Sequence, residues 1–145
     1  MSGTLSLNTG FPLVLTSSGN SGVGSSVLRP NSTGKSAELT GDAQSRLSKF
    51  FETSAFSVPA TFTFGNTARS LPDVRGPGRR NYDIAMGKNF VLREPLSLQF
   101  RAEAFNLTNT PYFLGPGTAL GSGTFGVISG SLGERQVQFS AKLVW

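Results

Sequence analysis

Residues 135–145, Arg-Gln-Val-Gln-Phe-Ser-Ala-Lys-Leu-Val-Trp, sort their side chains by parity. Val137, Phe139, Ala141, Leu143 and Trp145 fall on one side of an extended chain, and Gln136, Gln138, Ser140, Lys142 and Val144 on the other. Successive side chains of a strand point to opposite faces, so the stretch predicts a strand with an apolar face and a mostly polar back. About 9–11 residues are enough for a tilted strand to cross a bilayer. The edge strand of a soluble sheet carries the same alternation, so the rest of the chain has to separate the two readings.

The pattern recurs. Tyr82, Ile84, Met86, Lys88 and Phe90 share one face, with Lys88 breaking the apolar stripe; near a strand end a lysine snorkels to the headgroups. Leu96, Leu98, Phe100, Ala102 and Ala104 form the cleanest stripe, backed by Ser97, Gln99, Arg101 and Glu103. Residues 2–8 alternate, and Asn8-Thr-Gly10 is a turn signal ahead of Phe11-Pro-Leu-Val-Leu. The expectation is an all-β chain of about five antiparallel strands, near 2–8, 11–17, 80–91, 95–107 and 134–145. Long Gly- and Ser-rich loops at 18–78 and 108–133 join them. Within the first loop, 17–26 is a polar low-complexity run expected to be mobile, and 42–51 has the makings of a short helix N-capped by Asp42. Within the second, Phe125-Gly-Val-Ile128 reads as a possible short strand.

Composition narrows the chemistry. Among 145 residues there is no His and no Cys, which removes disulfides, thiolate chemistry, imidazole bases and the usual transition-metal sites. No metal site is therefore expected, and no nucleophile–base pair for catalysis can be assembled. Charged residues make up only 14%, with 18 Gly and 12 Phe, a mixture that suits strands and polar loops better than helices around a leucine core. No apolar run approaches the ~18 residues of a membrane-spanning helix. The net charge of +5 is uneven: residues 1–68 carry +1, and the remainder +4. Arg69, Arg75, Arg79 and Arg80 cluster around Asp73, without the interleaved aromatics of a nucleic-acid module, so no nucleic-acid partner is expected.

The connections are read as short (8–10), long (18–78), short (91–95) and long (108–133). Structureless connections of this length argue against a compact soluble domain. Short turns alternating with long loops are the habit of outer-membrane barrels, with turns on the periplasmic side and loops outside. Counted back from a periplasmic carboxyl terminus, both short connections fall on the periplasmic side. In such a barrel the polar residues Arg101, Glu103, Gln136, Gln138 and Lys142 face the lumen, whereas an Arg or Lys on the lipid face at mid-bilayer costs ~2–4 kcal/mol. Five strands cannot close a single-chain barrel, whose usual minimum is about eight. Open edges in lipid leave backbone groups bare. The sequence after Met1 also has neither the basic nor the apolar part of a secretory signal. The expectation is that the chain is the end of a longer protein or one part of an oligomeric barrel.

Over nearly its whole length the chain resembles the carboxyl-terminal end of TonB-dependent outer-membrane receptors, most closely the Oar-like subgroup with a carboxypeptidase-regulatory-like domain far upstream. The matching stretches are Thr9-Gly-Phe-Pro12, Arg29-Pro-Asn31, Phe51-Glu-Thr-Ser-Ala-Phe56, Phe64-Gly-Asn66 and Arg75-Gly-Pro-Gly78. Stronger ones are Asn81-Tyr-Asp-Ile, Lys88-Asn-Phe90, Leu98-Gln-Phe-Arg-Ala-Glu-Ala-Phe-Asn106 with Asn109, and Arg135-Gln-Val-Gln-Phe. The resemblance implies an outer-membrane location, contact with outer-membrane lipid, and energy-coupled uptake of a scarce, unidentified ligand through a 22-stranded barrel. It places the plug, the TonB contact and the signal peptide ahead of Met1. It also implies that the terminal strand, with Phe139, Leu143 and Trp145, is the signal read by the barrel-assembly machinery. Two other classes stand beside it: an oligomeric outer-membrane barrel or adhesin anchor, and a soluble secreted β-rich binding module.

Overall fold

The computed structural model describes residues 1–17 and 28–145, so most of the low-complexity run at 17–26 lies outside the described residues. The described chain is all-β. Its strands are β1 (Ser2–Asn8), β2 (Thr16–Ser17), β3 (Asn31–Ser32), β4 (Phe56–Ser57), β5 (Arg79–Arg93), β6 (Leu96–Phe105), β7 (Tyr112–Phe113), β8 (Ala119–Leu120), β9 (Ser131–Leu132) and β10 (Gln136–Val144). The long strands gather in one antiparallel sheet of order β1-β5-β6-β10, within a unit formed by Met1–Asn8, Gly78–Tyr112 and Leu132–Trp145. The short ones form two-stranded pairs, β2 with β8, β3 with β4 and β7 with β9.

The register follows the alternation. Ile84, Met86, Lys88 and Phe90 pair with Ala104, Ala102, Phe100 and Leu98, which pair in turn with Val137, Phe139, Ala141 and Leu143. On the other flank Leu5 pairs with Tyr82, and Leu7 with Arg80. Opposed residues share a face in an antiparallel sheet, so the apolar stripes of separate strands merge into one apolar face. A one-residue slip of β6 would bring Arg101 and Glu103 onto that face, and a slip of β10 Gln138 and Lys142, which is why their register is strongly specified.

Both long excursions leave from one end of this sheet: Asn8 pairs with Arg79, and Phe105 with Gln136. The short β5–β6 turn, with a register shift between Val91 and Arg93, lies at the opposite end.

One expected strand is placed differently. Residues 11–17 do not form a hairpin with 2–8; β1 pairs with β5 instead, leaving four strands in the sheet. The stretch runs antiparallel to residues 71–76: Leu13 N–H donates to Val74 O, Leu71 N–H to Leu13 O, and Gly76 N–H to Phe11 O. Pro12 has no N–H to donate to a ladder, and Leu13 and Leu15 are buried in a second apolar core rather than displayed on the sheet.

That core belongs to a separate unit made of Thr9–Pro77 and Phe113–Ser131. Phe51 and Phe50, at its centre, are almost fully buried. Phe51, Phe56 and Phe125 meet edge to face, with ring centroids 5.2–6.3 Å apart. Backbone bonds join the two loops into one body: Phe50 N–H donates to Gly126 O, Ile128 N–H to Leu47 O, and Thr16 N–H to Thr118 O. Phe125 to Ile128 therefore contribute core side chains rather than a strand. The predicted helix at 42–51 is reduced to a 3-10 turn at Gln44–Arg46, although Asp42 Oδ1 does accept the Ser45 N–H at 3.0 Å. Burying the consecutive Phe50 and Phe51 takes the chain out of helical periodicity.

Candidate functional site

The sheet offers two faces of opposite character. On the apolar one Leu5, Leu7, Met86, Val137, Phe139 and Leu143 are each about half exposed or more, and Phe139 is 69% exposed. Phe100 and Phe139 stack across β6 and β10 at 6.2 Å and 21°. A continuous exposed apolar surface over four strands exceeds what a soluble monomer carries, and marks contact with a partner or with lipid. From Tyr82 to Phe90 the stripe spans about 26 Å along the strand, or about 20 Å with a tilt of ~40°, near the ~25 Å apolar band of outer-membrane barrels. Tyr82 stands toward one border of the band. Trp145, 85% exposed, stands beyond the other, one residue past the Val144–Ser97 pair. Phe139, Leu143 and Trp145 therefore share this face, on a strand paired on one side only among the described residues.

The opposite face carries Arg101, Glu103, Gln136, Gln138 and Lys142. Gln138 is registered with Glu103, Ser140 with Arg101, Lys142 with Gln99 and Gln136 with Phe105. Three of these side chains are brought together: Arg101 Nε donates to Glu103 Oε1 at 2.8 Å, its Nη2 reaches the same oxygen, and Gln138 Nε2 donates to Glu103 Oε2. Gln136 and Lys142 share the face without a side-chain hydrogen bond among the described residues. Neighbouring Asn81 Nδ2 donates to Asp83 Oδ2 at 2.8 Å.

A junction at the loop end of the sheet was not singled out as a site. Asn106 is only 5% exposed and holds φ at +50°, a conformation that Asn tolerates better than most residues. Its Nδ2 donates to Gly133 O and Thr110 O, its Oδ1 accepts the Thr110 N–H, and its own N–H donates to Asp83 Oδ1 at 2.9 Å. Asn109, at φ +51°, accepts the Arg135 N–H. Two asparagines thus tie the departing and returning ends of the second loop to the rim. The signal was the Asn-x-x-Asn spacing after β6, since Asn side chains copy backbone turns.

Residues 1–138 match the family model described as an outer membrane beta barrel domain. The chain belongs to that outer-membrane β-barrel family. No curated protein and no solved structure matches it.

In an outer-membrane barrel the apolar face meets lipid, which gives Lys88 an awkward position. Its ammonium lies 5.1 Å from the Phe90 ring centroid, so the side chain bends toward the turn end of the sheet instead of standing in the band. A cation over a ring retains part of its electrostatic stabilisation, and snorkelling shortens its way to the headgroups. At the loop end of the barrel segment, a pocket of about 230 Å³ is walled by Arg79, Asn81, Asn106, Tyr112 and their neighbours, with the Arg79 guanidinium 5.5 Å from the Tyr112 ring.

The loop unit has its own charged features. Lys49 Nζ lies 2.6 Å from Glu52 Oε2, and this bond, joined by the Ser54 hydrogen bonds, pulls the Glu52 carboxyl down to about 2. Ser45 lowers the Asp42 carboxyl in the same sense. A cleft of about 210 Å³ in this unit is bordered by Lys35, Asn66, Asp73 and Phe56 among others, a mixture able to hold a polar solute.

Proposed function

We propose that the chain is the carboxyl-terminal part of the barrel of a TonB-dependent receptor of the Oar-like kind, serving energy-coupled uptake of a scarce solute. The observation that carries the reading is the sheet itself. It has one lipid-type face and one polar face, and both its outer edges, on β1 and β10, are open among the described residues. Open edges in lipid must be paired, so more strands than these four complete the barrel. Loops folded around their own apolar core also suit a receptor that captures a solute before passing it inward. The resemblance of the Phe100-Arg-Ala-Glu-Ala-Phe-Asn106 block to TonB-dependent receptors supports the finer assignment.

On this reading Arg101, Glu103, Gln136, Gln138 and Lys142 line the lumen. The loops at 9–77 and 113–131 lie outside the cell, the terminal strand with Phe139, Leu143 and Trp145 is what the assembly machinery recognises, and uptake is energised through TonB. The chain contributes no catalytic group and no cofactor. The test is growth and uptake by cells carrying the intact gene, an in-frame disruption within β6, or an intact gene without TonB, on a panel of limiting solutes. The proposal expects one solute whose uptake is lost in both altered strains. A barrel assembled from several identical short chains, or uptake that persists without TonB, overturns it in favour of an oligomeric barrel or a passive channel.

A further inference from the structure

The cleft in the loop unit carries two opposite charges that do not meet. Lys35 and Asp73 both line it, both are exposed, and neither forms an ion pair or a side-chain hydrogen bond among the described residues. Arg75, two residues on, does not neutralise Asp73: its Nη1 donates to Gly10 O at 3.2 Å. Each charge stands on a segment anchored to the core. Leu71 and Val74 are buried and their backbones bond to Leu13, which fixes the bend bearing Asp73. Lys35 follows Gly34, whose φ of +82° and N–H bond to Ser32 Oγ shape that bend, and the Thr33 N–H is held by Ala55 O. The two walls are stapled to each other: Asn66 Oδ1 accepts the Ser32 N–H at 2.7 Å, and Thr67 Oγ1 donates to Pro30 O at 2.7 Å. With its oxygen engaged, Asn66 keeps an Nδ2 without a partner among the described residues. Phe56, Leu71 and Val74 supply an apolar floor.

We infer that this cleft binds a zwitterionic solute, a free amino acid or dipeptide with an apolar side chain, its carboxylate on Lys35 and its ammonium on Asp73. A solute carrying both signs satisfies both residues at once, whereas a pure anion meets Asp73 and a pure cation meets Lys35 as like charges. A neutral sugar leaves both charges without a counter-charge. The volume of about 210 Å³ lies under the ~300 Å³ at which pockets for drug-sized ligands begin, which sets the size of the solute. The apolar floor takes the side chain, and Asn66 Nδ2 adds a donor for a carboxylate or peptide oxygen. Binding is a property of the cleft alone; that the bound solute is the one carried inward rests on the receptor reading.

The test is calorimetric titration of the intact protein, purified from outer membranes in a mild detergent, with leucine, leucyl-leucine, N-acetyl-leucine, leucinamide and glucose. Heat-modifiable migration confirms that each variant is folded. The wild type binds leucine or leucyl-leucine and not glucose. Capping either charge of the solute weakens binding about tenfold, the low end for a hydrogen bond to a charged group because both side chains are exposed. Lys35→Gln loses about as much for leucine and nothing for leucinamide, which has no carboxylate to place. Asp73→Asn does the same for leucine and spares N-acetyl-leucine. Lys49→Gln, in the same unit but outside the cleft, changes nothing. Absence of zwitterion binding at millimolar concentration, equal binding of the capped forms, or no response to Lys35→Gln and Asp73→Asn overturns the inference. TonB-dependent uptake of another solute, with the cleft silent, sinks the inference and spares the receptor reading; zwitterion binding with uptake that needs no TonB does the reverse.

Discussion

Replacing Phe139 by Arg puts a charge where the two-faced sheet tolerates it least. Phe139 opposes Ala102, which opposes Met86, and this row is central in the band that runs from Tyr82 to Phe90. An Arg at the bilayer midplane of a barrel costs ~2–4 kcal/mol. Loss of the stack with Phe100 adds about 0.5–1.5 kcal/mol, so the expected total is roughly 3–5 kcal/mol. The matched control is Gln136→Arg, one strand position of opposite parity near Phe105, where the polar face absorbs the charge for about 0.5 kcal/mol or less. The assay is guanidinium unfolding of the intact protein in lipid vesicles, followed by the fluorescence of Trp145, the single tryptophan in these residues. Val137→Arg, one row nearer the loop end, should fall between the two because the penalty declines toward the interface. If Phe139→Arg and Gln136→Arg shift the midpoint equally, or the polar-face variant is the costlier, the face assignment is wrong.

Other consequences follow from single contacts. Asn106→Ala should destabilise the loop junction by about 2–4 kcal/mol, since it strands the bonds from Gly133 and Thr110 and penalises the positive φ. Faster proteolysis of 107–134 would report it, and Asn106→Gly should restore only the backbone part. Phe51→Ala should cost the loop unit about 3–5 kcal/mol and open residues 42–56 to protease. The Glu52 carboxyl is depressed from 4.5 to about 2, so its contribution is fully present above about 4.5 and is lost as pH falls toward 2. Protease resistance of the 3-10 turn at Thr53–Ala55 should decline over that window, and Glu52→Gln should remove the pH dependence.

The parts of the fold visible in the sequence are those where one side of a strand meets lipid and the other water. β5, β6 and β10 lie near their expected bounds because alternation, with Arg101 and Glu103 as fixed polar markers, leaves one register. Alternation does not say what covers an apolar side. Leu13 and Leu15 carry the same period-two signal as Leu98 and Phe100, yet they pack beneath Leu71 and Val74 in the loop unit. The Phe51–Phe125 contact joins residues far apart in sequence and has no local signature. Among the polar residues, facing was readable from parity, whereas the closure of Arg101, Glu103 and Gln138 into one bonded group depended on cross-strand register. Asn106 looked like a strand terminator, and three of its four bonds depend on where Gly133 and Thr110 lie.

The most direct test of two solvents on two faces is a spin-label scan of residues 136–144 in the intact protein, embedded in native outer-membrane vesicles. Collision with oxygen, enriched in hydrocarbon, should peak at 137, 139, 141 and 143. Collision with a water-soluble nickel chelate should peak at 136, 138, 140 and 142. Two profiles that rise and fall together, or uniformly low access at 139 and 143, would contradict the account.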